Sequence, residues 1–395
     1  MNFWLYLFTI SYCLIFYNYA GYAIIIVILN RLKKKKPPFL TPDDSLLPSV
    51  SFIVAAYNEE DCIAQKITNS LDLDYPREKI EFLFITDGSS DGTEAIVRQY
   101  PSIRSLHQPQ RNGKSAALNR AVLEARNPIL IFCDANTVLN NASIRNIVRH
   151  YDDPTVGGVA GEKKVLPATA GQDQVGEGEG LYWKYESFLK KEDASFYSVV
   201  GAAGELLSFR ASLYESLPHN IILDDFVSSL RVTQKGYRFA YEPDAYAMEL
   251  PSFSLHDEKK RKVRIAAGGF QSILLLTPLL AFWKYPRLTF LYVSHRLMRW
   301  AVSPFCMILA FIANGMLLLT NPNGIYIALF LLQCCFYGTA ALAGIFPTIQ
   351  KRSRLIKLTY YFVFMNTCAI LGFFRFLKGS QSAVWEKAKR AQTAA

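Results

Sequence analysis

No Asp, Glu, Lys or Arg occurs before Arg31. A cleavable secretory signal carries positive charge ahead of a shorter apolar run, so the opening stretch is not expected to be one. Cysteine is sparse as well: Cys13, Cys62, Cys133, Cys306, Cys334, Cys335 and Cys368 include no CxxC pair and no zinc spacing. A disulfide scaffold and a structural zinc site are therefore excluded. Only Cys62 and Cys133 fall in the polar middle of the chain, which fits a reducing compartment and small buried hydrophobes. The formal charge is +10, yet no helix-turn-helix or RNA-binding pattern accompanies it. The positive residues border apolar segments rather than alternate with stacking aromatics, so a nucleic-acid partner is not expected.

What the chain has in excess is apolar sequence, concentrated in residues 1–30 and beyond about Phe270. Residues 3–29 exceed the ~20 needed to cross a hydrocarbon core. Arg31 and Lys33 to Lys36 follow directly. Basic loops stay on the cytoplasmic side, so the amino terminus is expected outside and the following domain inside. Pro37, Pro38 and Pro42 give a stiff linker. Three more apolar runs, 301–320, 325–346 and 358–377, predict further spans, separated by the turn Asn321-Pro-Asn-Gly and the basic loop 350–357. Residues 268–283 and 288–300 read as interfacial helices. Three inward-starting crossings leave the tail outside, whereas its basic residues from Lys378 to Arg390 suit the cytoplasm. The expected organisation is a membrane helix (1–30), linker (31–48), soluble domain (49–262), interfacial helices (263–300), membrane helices (301–378) and tail (379–395).

In the soluble part, VSFIVAA (50–56), EFLFIT (81–86) and PILIFC (128–133) are apolar runs of strand length. Helical patterns such as 61–71 and 92–100 lie between them. Continuous apolar strands alternating with helices predict an α/β domain with a mainly parallel sheet. Each run ends in polar residues: Tyr57-Asn-Glu-Glu, Asp87-Gly-Ser-Ser-Asp-Gly and Asp134-Ala-Asn. Ligands bind beyond the carboxyl ends of such strands, so three endings of this kind predict a site for a cation and a phosphorylated ligand.

At these residues the sequence resembles the family-2 glycosyltransferases of GT-A fold, a Rossmann-like mixed, mainly parallel sheet. It is most similar to their membrane-embedded branch, the cellulose, chitin, hyaluronan and poly-N-acetylglucosamine synthases. The resemblance implies that Ala55, Tyr57 and Glu59 of IVAAYNEE line the nucleotide pocket, and that Asp87 of TDGSSDGT grips the base. Lys114 of RNGKSAALN then lies near the diphosphate. CDANT stands at the family's Asp-x-Asp position, making Asp134 and Asn136 the implied ligands of Mg²⁺ or Mn²⁺. Asn136 brings no charge, so Asp134 is the stronger ligand. LDDFVSSLRV resembles the Thr-Glu-Asp block, which makes Asp225 the implied catalytic base beside Asp224. Arg261-Lys-Val-Arg-Ile occupies the Gln-x-x-Arg-Trp position, retaining only Arg264. Ile265 replaces the acceptor-stacking tryptophan, a departure that weighs against long-chain processivity. Tyr182, Trp183 and Gly201 fall in segments the family places around the acceptor, and Arg261 and Arg264 near acceptor or diphosphate.

The resemblance implies an inverting hexosyltransferase of the plasma membrane, with its catalytic domain cytoplasmic. Its donor would be a nucleotide sugar, foremost a UDP-sugar, and its acceptor a growing exopolysaccharide. The bilayer is a partner, and the family leaves room for a homo-oligomer or export partner. The alternatives are single transfer to a lipid carrier and, from another class, an inactive synthase partner.

Overall fold

The computed structural model describes residues 2–33, 44–166, 173–250, 254–350 and 353–379. Lys34 to Lys36, the linker prolines, Lys351 and Arg352 of the basic loop, and the tail from residue 380 lie outside the described residues.

Eight strands form one sheet: β1 (Val50–Ala56), β2 (Ile80–Asp87), β3 (Arg104–Gln108), β4 (Ile129–Asp134), β5 (Val138–Leu139), β6 (Val156–Val165), β7 (Leu206–Arg210) and β8 (Arg238–Glu249). Their order is β3-β2-β1-β4-β7-β6-β8-β5. β3, β2, β1 and β4 are parallel; β7 runs antiparallel to both β4 and β6, and β8 runs parallel to β6. All seven residues of β1 are buried, because helices cover both sheet faces. The helix Ile63–Leu71 packs on one face, and Lys114–Glu124 on the other. The three apolar runs of the sequence are thus β1, β2 and β4, adjacent in space. Because all three point the same way, their carboxyl ends share one edge. Since β7 is reversed, its amino end reaches that edge too, bringing Gly204 and Glu205 there.

Among the described residues four helices are long and apolar enough to cross a membrane: Phe3–Arg31, Pro286–Thr320, Gly324–Ile345 and Arg354–Leu377. Large apolar side chains such as Phe3, Ile10, Ile24, Leu331 and Leu332 are exposed on them, as a lipid-facing surface requires. Asn323 caps the third of these helices, its side chain accepting from the Ile325 N–H.

Two sequence expectations shift. The run 268–283 does not form its own helix: a helix begins at Leu255, ends at Leu275, and turns through Thr277–Leu280. Residues 288–300 are not separate from the span that follows, because one helix runs from Pro286 to Thr320. The reason is electrostatic. His295, Arg296 and Arg299, within the stretch read as interfacial, are buried against the helix Asp173–Phe196. Arg296 and Arg299 pair with Glu186 at 2.5 and 2.6 Å, and His295 Nδ1 lies 2.5 Å from Asp193. Burial works against the Glu186 charge, but Arg296, His295 and Arg299 more than offset it and hold the carboxyl well below its ordinary range. Tyr22 and Asn30 of the first span also donate to Asp193 and Glu192, at 2.5 and 2.7 Å. A buried polar lattice therefore ties the globular domain to two spans. Such lattices fix geometry more than they add stability.

Candidate active site

The shared edge holds two adjoining pockets with Lys114 in the wall of both. The smaller, about 280 Å³, is lined by Ala55, Tyr57, Asp87 and Arg111 among others. Asp87 ends β2 and is 5% exposed. Its Oδ2 accepts from the N–H groups of Asn112 and Gly113 at 3.0 and 2.7 Å. Its Oδ1 is buried without a hydrogen bond, the nearest cation being Arg120 at 4.0 Å. The Arg111 guanidinium lies 3.6 Å from the Tyr57 ring centroid, and its buried Nη2 also lacks a partner. Both residues line this one cavity, so a buried acceptor and a buried donor, each without a hydrogen bond, flank it.

The larger pocket, about 370 Å³, is lined by Lys114, Asp134, Gly204, Tyr214, Asp224 and Asp225 together with apolar residues. Lys114 opens its helix and reaches Asp134 Oδ1 at 2.5 Å. Asp224 and Asp225 open the helix Asp224–Gln234, whose N-terminal dipole favours carboxylates. The Phe226 N–H donates to Asp225 Oδ1 at 2.7 Å. A Cβ at Gly204 would stand 3.1 Å from Asp225 Oδ2 and 3.2 Å from Lys114 Nζ, so a larger residue there would crowd both groups. Carboxylates outnumber cations here. Burial, then Asp224, pushes Asp225 up to about 7 against the pull of Lys114. Burial, with Glu205 adding to it, also raises Asp134 despite Lys114. Burial disfavours the Lys114 charge, but Asp134, Asp224 and Asp225 outweigh it, so its pKa is raised.

The donor set suits a hard divalent cation. Mg²⁺ is ordinarily held by one or two carboxylates plus substrate phosphates, and Asp134 supplies a carboxylate beside an open cavity. Among the described residues no three His, Cys, Asp or Glu side chains form a ready-made cage, so a diphosphate would have to complete the ligation.

Other expected site residues lie elsewhere. Glu59, 2% exposed, sits outside both linings; its backbone N–H donates to Thr93 Oγ1 at 2.8 Å, and its carboxylate accepts from Cys62. Asn136 lies in the turn after β4, also outside both linings. Arg261 pairs with Glu258 at 2.9 Å and lies 3.9 Å from Glu249. Arg264 is nearer the centre: burial lowers its pKa, and Asp224 and Asp225 oppose that. Tyr182 and Trp183 meet edge to face at 5.7 Å. Lys163, Lys190 and Lys262 surround the Trp183 ring at 4.9, 5.3 and 5.7 Å, occupying its vicinity with cations.

Gly201 lines neither pocket. Its φ is +82°, and a Cβ there would fall 2.0 Å from the Phe226 ring, next to Asp225. Gly201→Ala is expected to cost roughly 2–4 kcal/mol from backbone strain and overpacking, read as a fall in the thermal midpoint with activity lost in parallel. Two residues at this edge escaped the sequence reading: Arg111 and Glu205. They stand within the segments RNGKSAALN and GAAGELLSFR, but nothing local marks them. Glu205 accepts from Lys163 at 2.6 Å, a partner on β6.

Residues 51–216 match the family model described as Glycosyl transferase family 2. A poly-beta-1,6-N-acetyl-D-glucosamine synthase of Staphylococcus aureus (strain MSSA476) is 27% identical over 253 residues, 62% of this chain and 60% of that protein. The synthase of the same description from Staphylococcus epidermidis is 24% identical over 57% of this chain and 55% of its own length. The chain thus matches less than two thirds of the length of these relatives. Among solved structures, the mannosyltransferase PcManGT from Pyrobaculum calidifontis, in complex with GDP-Man and Mn²⁺, superposes with a TM-score of 0.70 over 95% of this chain and all of that one, at 23% identity. At that identity the match establishes the GT-A fold.

Proposed function

We propose, from the glycosyltransferase family 2 domain that this chain carries, that the protein is an inverting membrane glycosyltransferase. It takes a sugar from a nucleotide-sugar donor and adds it to a polysaccharide acceptor, in exopolysaccharide synthesis. The observation that carries this reading is the convergence of Asp134, Asp224 and Asp225 on Lys114, next to a pocket holding Asp87. The acceptor hydroxyl attacks the anomeric carbon, and its proton passes to the Asp225 carboxylate. Burial, and then Asp224, keeps that carboxylate basic, since both a dry site and a second negative charge disfavour its ionisation. Lys114 faces the diphosphate as a point charge. Asp134 would hold Mg²⁺ or Mn²⁺, which when bound neutralises charge on the departing diphosphate. Arg264, close to the acid pair, is assigned to the same anion.

The donor is read as a UDP-sugar. Asp87 Oδ2 is already committed to two backbone N–H groups, which leaves one acceptor and the open Arg111 donor. Uracil presents one ring N–H between two carbonyls, matching that pair. Guanine presents two adjacent N–H donors and would call for both carboxylate oxygens. Arg31 and Lys33 behind the first span support a cytoplasmic catalytic face.

A screen of UDP-, GDP- and dTDP-sugars with purified protein in micelles tests this. UDP release is expected, and Arg111→Ala should raise the donor KM roughly tenfold, the worth of one hydrogen bond to a charged group. Preferential turnover of GDP-sugars would sink the donor assignment. Ile265, in place of a stacking tryptophan, favours a second reading, single transfer to a lipid-linked acceptor. Product length on sizing separates the two.

A further inference from the structure

We propose that Lys66 and Cys133 form a covalent modification site: a lysine–cysteine cross-link bridged by one oxygen atom. Lys66 is on the helix Ile63–Leu71 and 1% exposed, within the apolar layer that includes Phe52, Ile63 and Ile67. Lysine is almost never fully buried unless paired with a carboxylate. Among the described residues Lys66 makes no ion pair; its Nζ instead lies 2.8 Å from Cys133 Sγ, 3.0 Å from the Thr137 carbonyl and 3.5 Å from Thr137 Oγ1. Cys133 is 4% exposed, with Thr137 Oγ1 at 3.2 Å. The glycosyl-transfer chemistry uses neither side chain.

The separation selects the chemistry. A direct sulfur–nitrogen bond is far shorter than 2.8 Å and would drag β4 and the helix together. Two single bonds meeting at a bent oxygen span about that distance, so the oxygen enters without backbone movement. The step balances with dioxygen as oxidant: Lys–NH₂ plus HS–Cys plus O₂ gives Lys–NH–O–S–Cys plus H₂O. Sulfur and nitrogen each lose two electrons, and dioxygen accepts all four. One oxygen atom enters the bridge and the other leaves as water. Of the three hydrogens on nitrogen and sulfur, one stays on nitrogen and two go to the water.

The cross-link falls directly beneath the reaction edge. Asp134 follows Cys133, and the turn after it is held by the Lys66 hydrogen bond to the Thr137 carbonyl and by Thr137 Oγ1 donating to the Asp134 carbonyl at 2.9 Å. Nothing in the proposal depends on which ligand the pockets take.

The test compares full-length protein in detergent micelles kept anaerobic with thiol reductant against protein exposed to air. The expected result is a mass gain of one oxygen less two hydrogens, a peptide joining the 63–71 helix to β4, and no tryptic cleavage after Lys66. Dithiothreitol should reverse all three, and Cys133→Ala and Lys66→Gln should each abolish them. If either variant misfolds, the peptide map of the unaltered protein decides alone. Oxygen on Cys133 with Lys66 still cleavable, loss of two hydrogens without oxygen, or no change in air would each overturn the assignment.

Discussion

Asp225→Asn is expected to lower donor turnover by roughly 10²–10⁴-fold, the usual worth of a positioned general base, with the fold intact. Asparagine keeps the shape, and its carbonyl can still accept from the Phe226 N–H that now bonds Oδ1. What it loses is the ability to take a proton from the acceptor. The unaltered enzyme should show an acid limb near pH 7, because burial and Asp224 push Asp225 to about 7. Below that value the group is protonated, and turnover should fall about tenfold per pH unit. In the variant this limb should vanish. Stability moves the other way. The folded-state pKa lies above the ordinary carboxylate value, so the contribution of Asp225 to stability is fully present below that ordinary value and is lost as pH rises through about 7. Asparagine cannot ionise, so the variant's thermal midpoint above pH 7 should match or exceed that of the parent. Full turnover in a folded Asp225→Asn protein, with the acid limb unchanged, would rule out the base role.

The second large effect is expected at Lys114, the one side chain common to both pocket walls. Lys114→Met should cut turnover by roughly 10²–10³-fold, as losing one preorganised charge stabiliser does, and also raise the donor KM. A merely structural lysine would not predict the accompanying shift in pH profile. Lys114 pulls the Asp225 pKa down, so its removal should move the acid limb to higher pH. Combining Lys114→Met with Asp134→Asn should cost less than the sum of the two, because the groups meet at 2.5 Å and lose the same interaction. Steady-state kinetics from pH 5.5 to 9 (roughly the window in which a carboxylate of this kind titrates) with matched thermal melts would decide. An unmoved acid limb in Lys114→Met would break the link between lysine and base.

Much of this was legible in one dimension. The strands β1, β2 and β4 follow from continuous apolar runs, because strands buried on both faces tolerate little else. The place of Asp87 and Asp134 at strand ends follows from those runs, whereas Asp225 is marked by the motif resemblance alone. The helices long and apolar enough to cross a membrane follow from length and hydropathy alone. All of these are local signals, written within a few residues of where they act.

What only the tertiary structure decided are the pairings between distant segments. His295, Arg296 and Arg299 fall in a stretch that reads as interfacial until Glu186 and Asp193, more than a hundred residues earlier, are seen to neutralise their charges. Tyr182 and Trp183 lie in a segment placed around the acceptor by resemblance, and only the structure shows the lysines of three elements that surround them. The reversal of β7 brings Gly204 and Glu205 to the reaction edge, and Lys66 meets Cys133 across the helix–sheet layer. Sequence periodicity reports whether a residue faces water or core; which partner it meets inside the core is set by chain topology, through contacts that cost loop closure and leave no local mark.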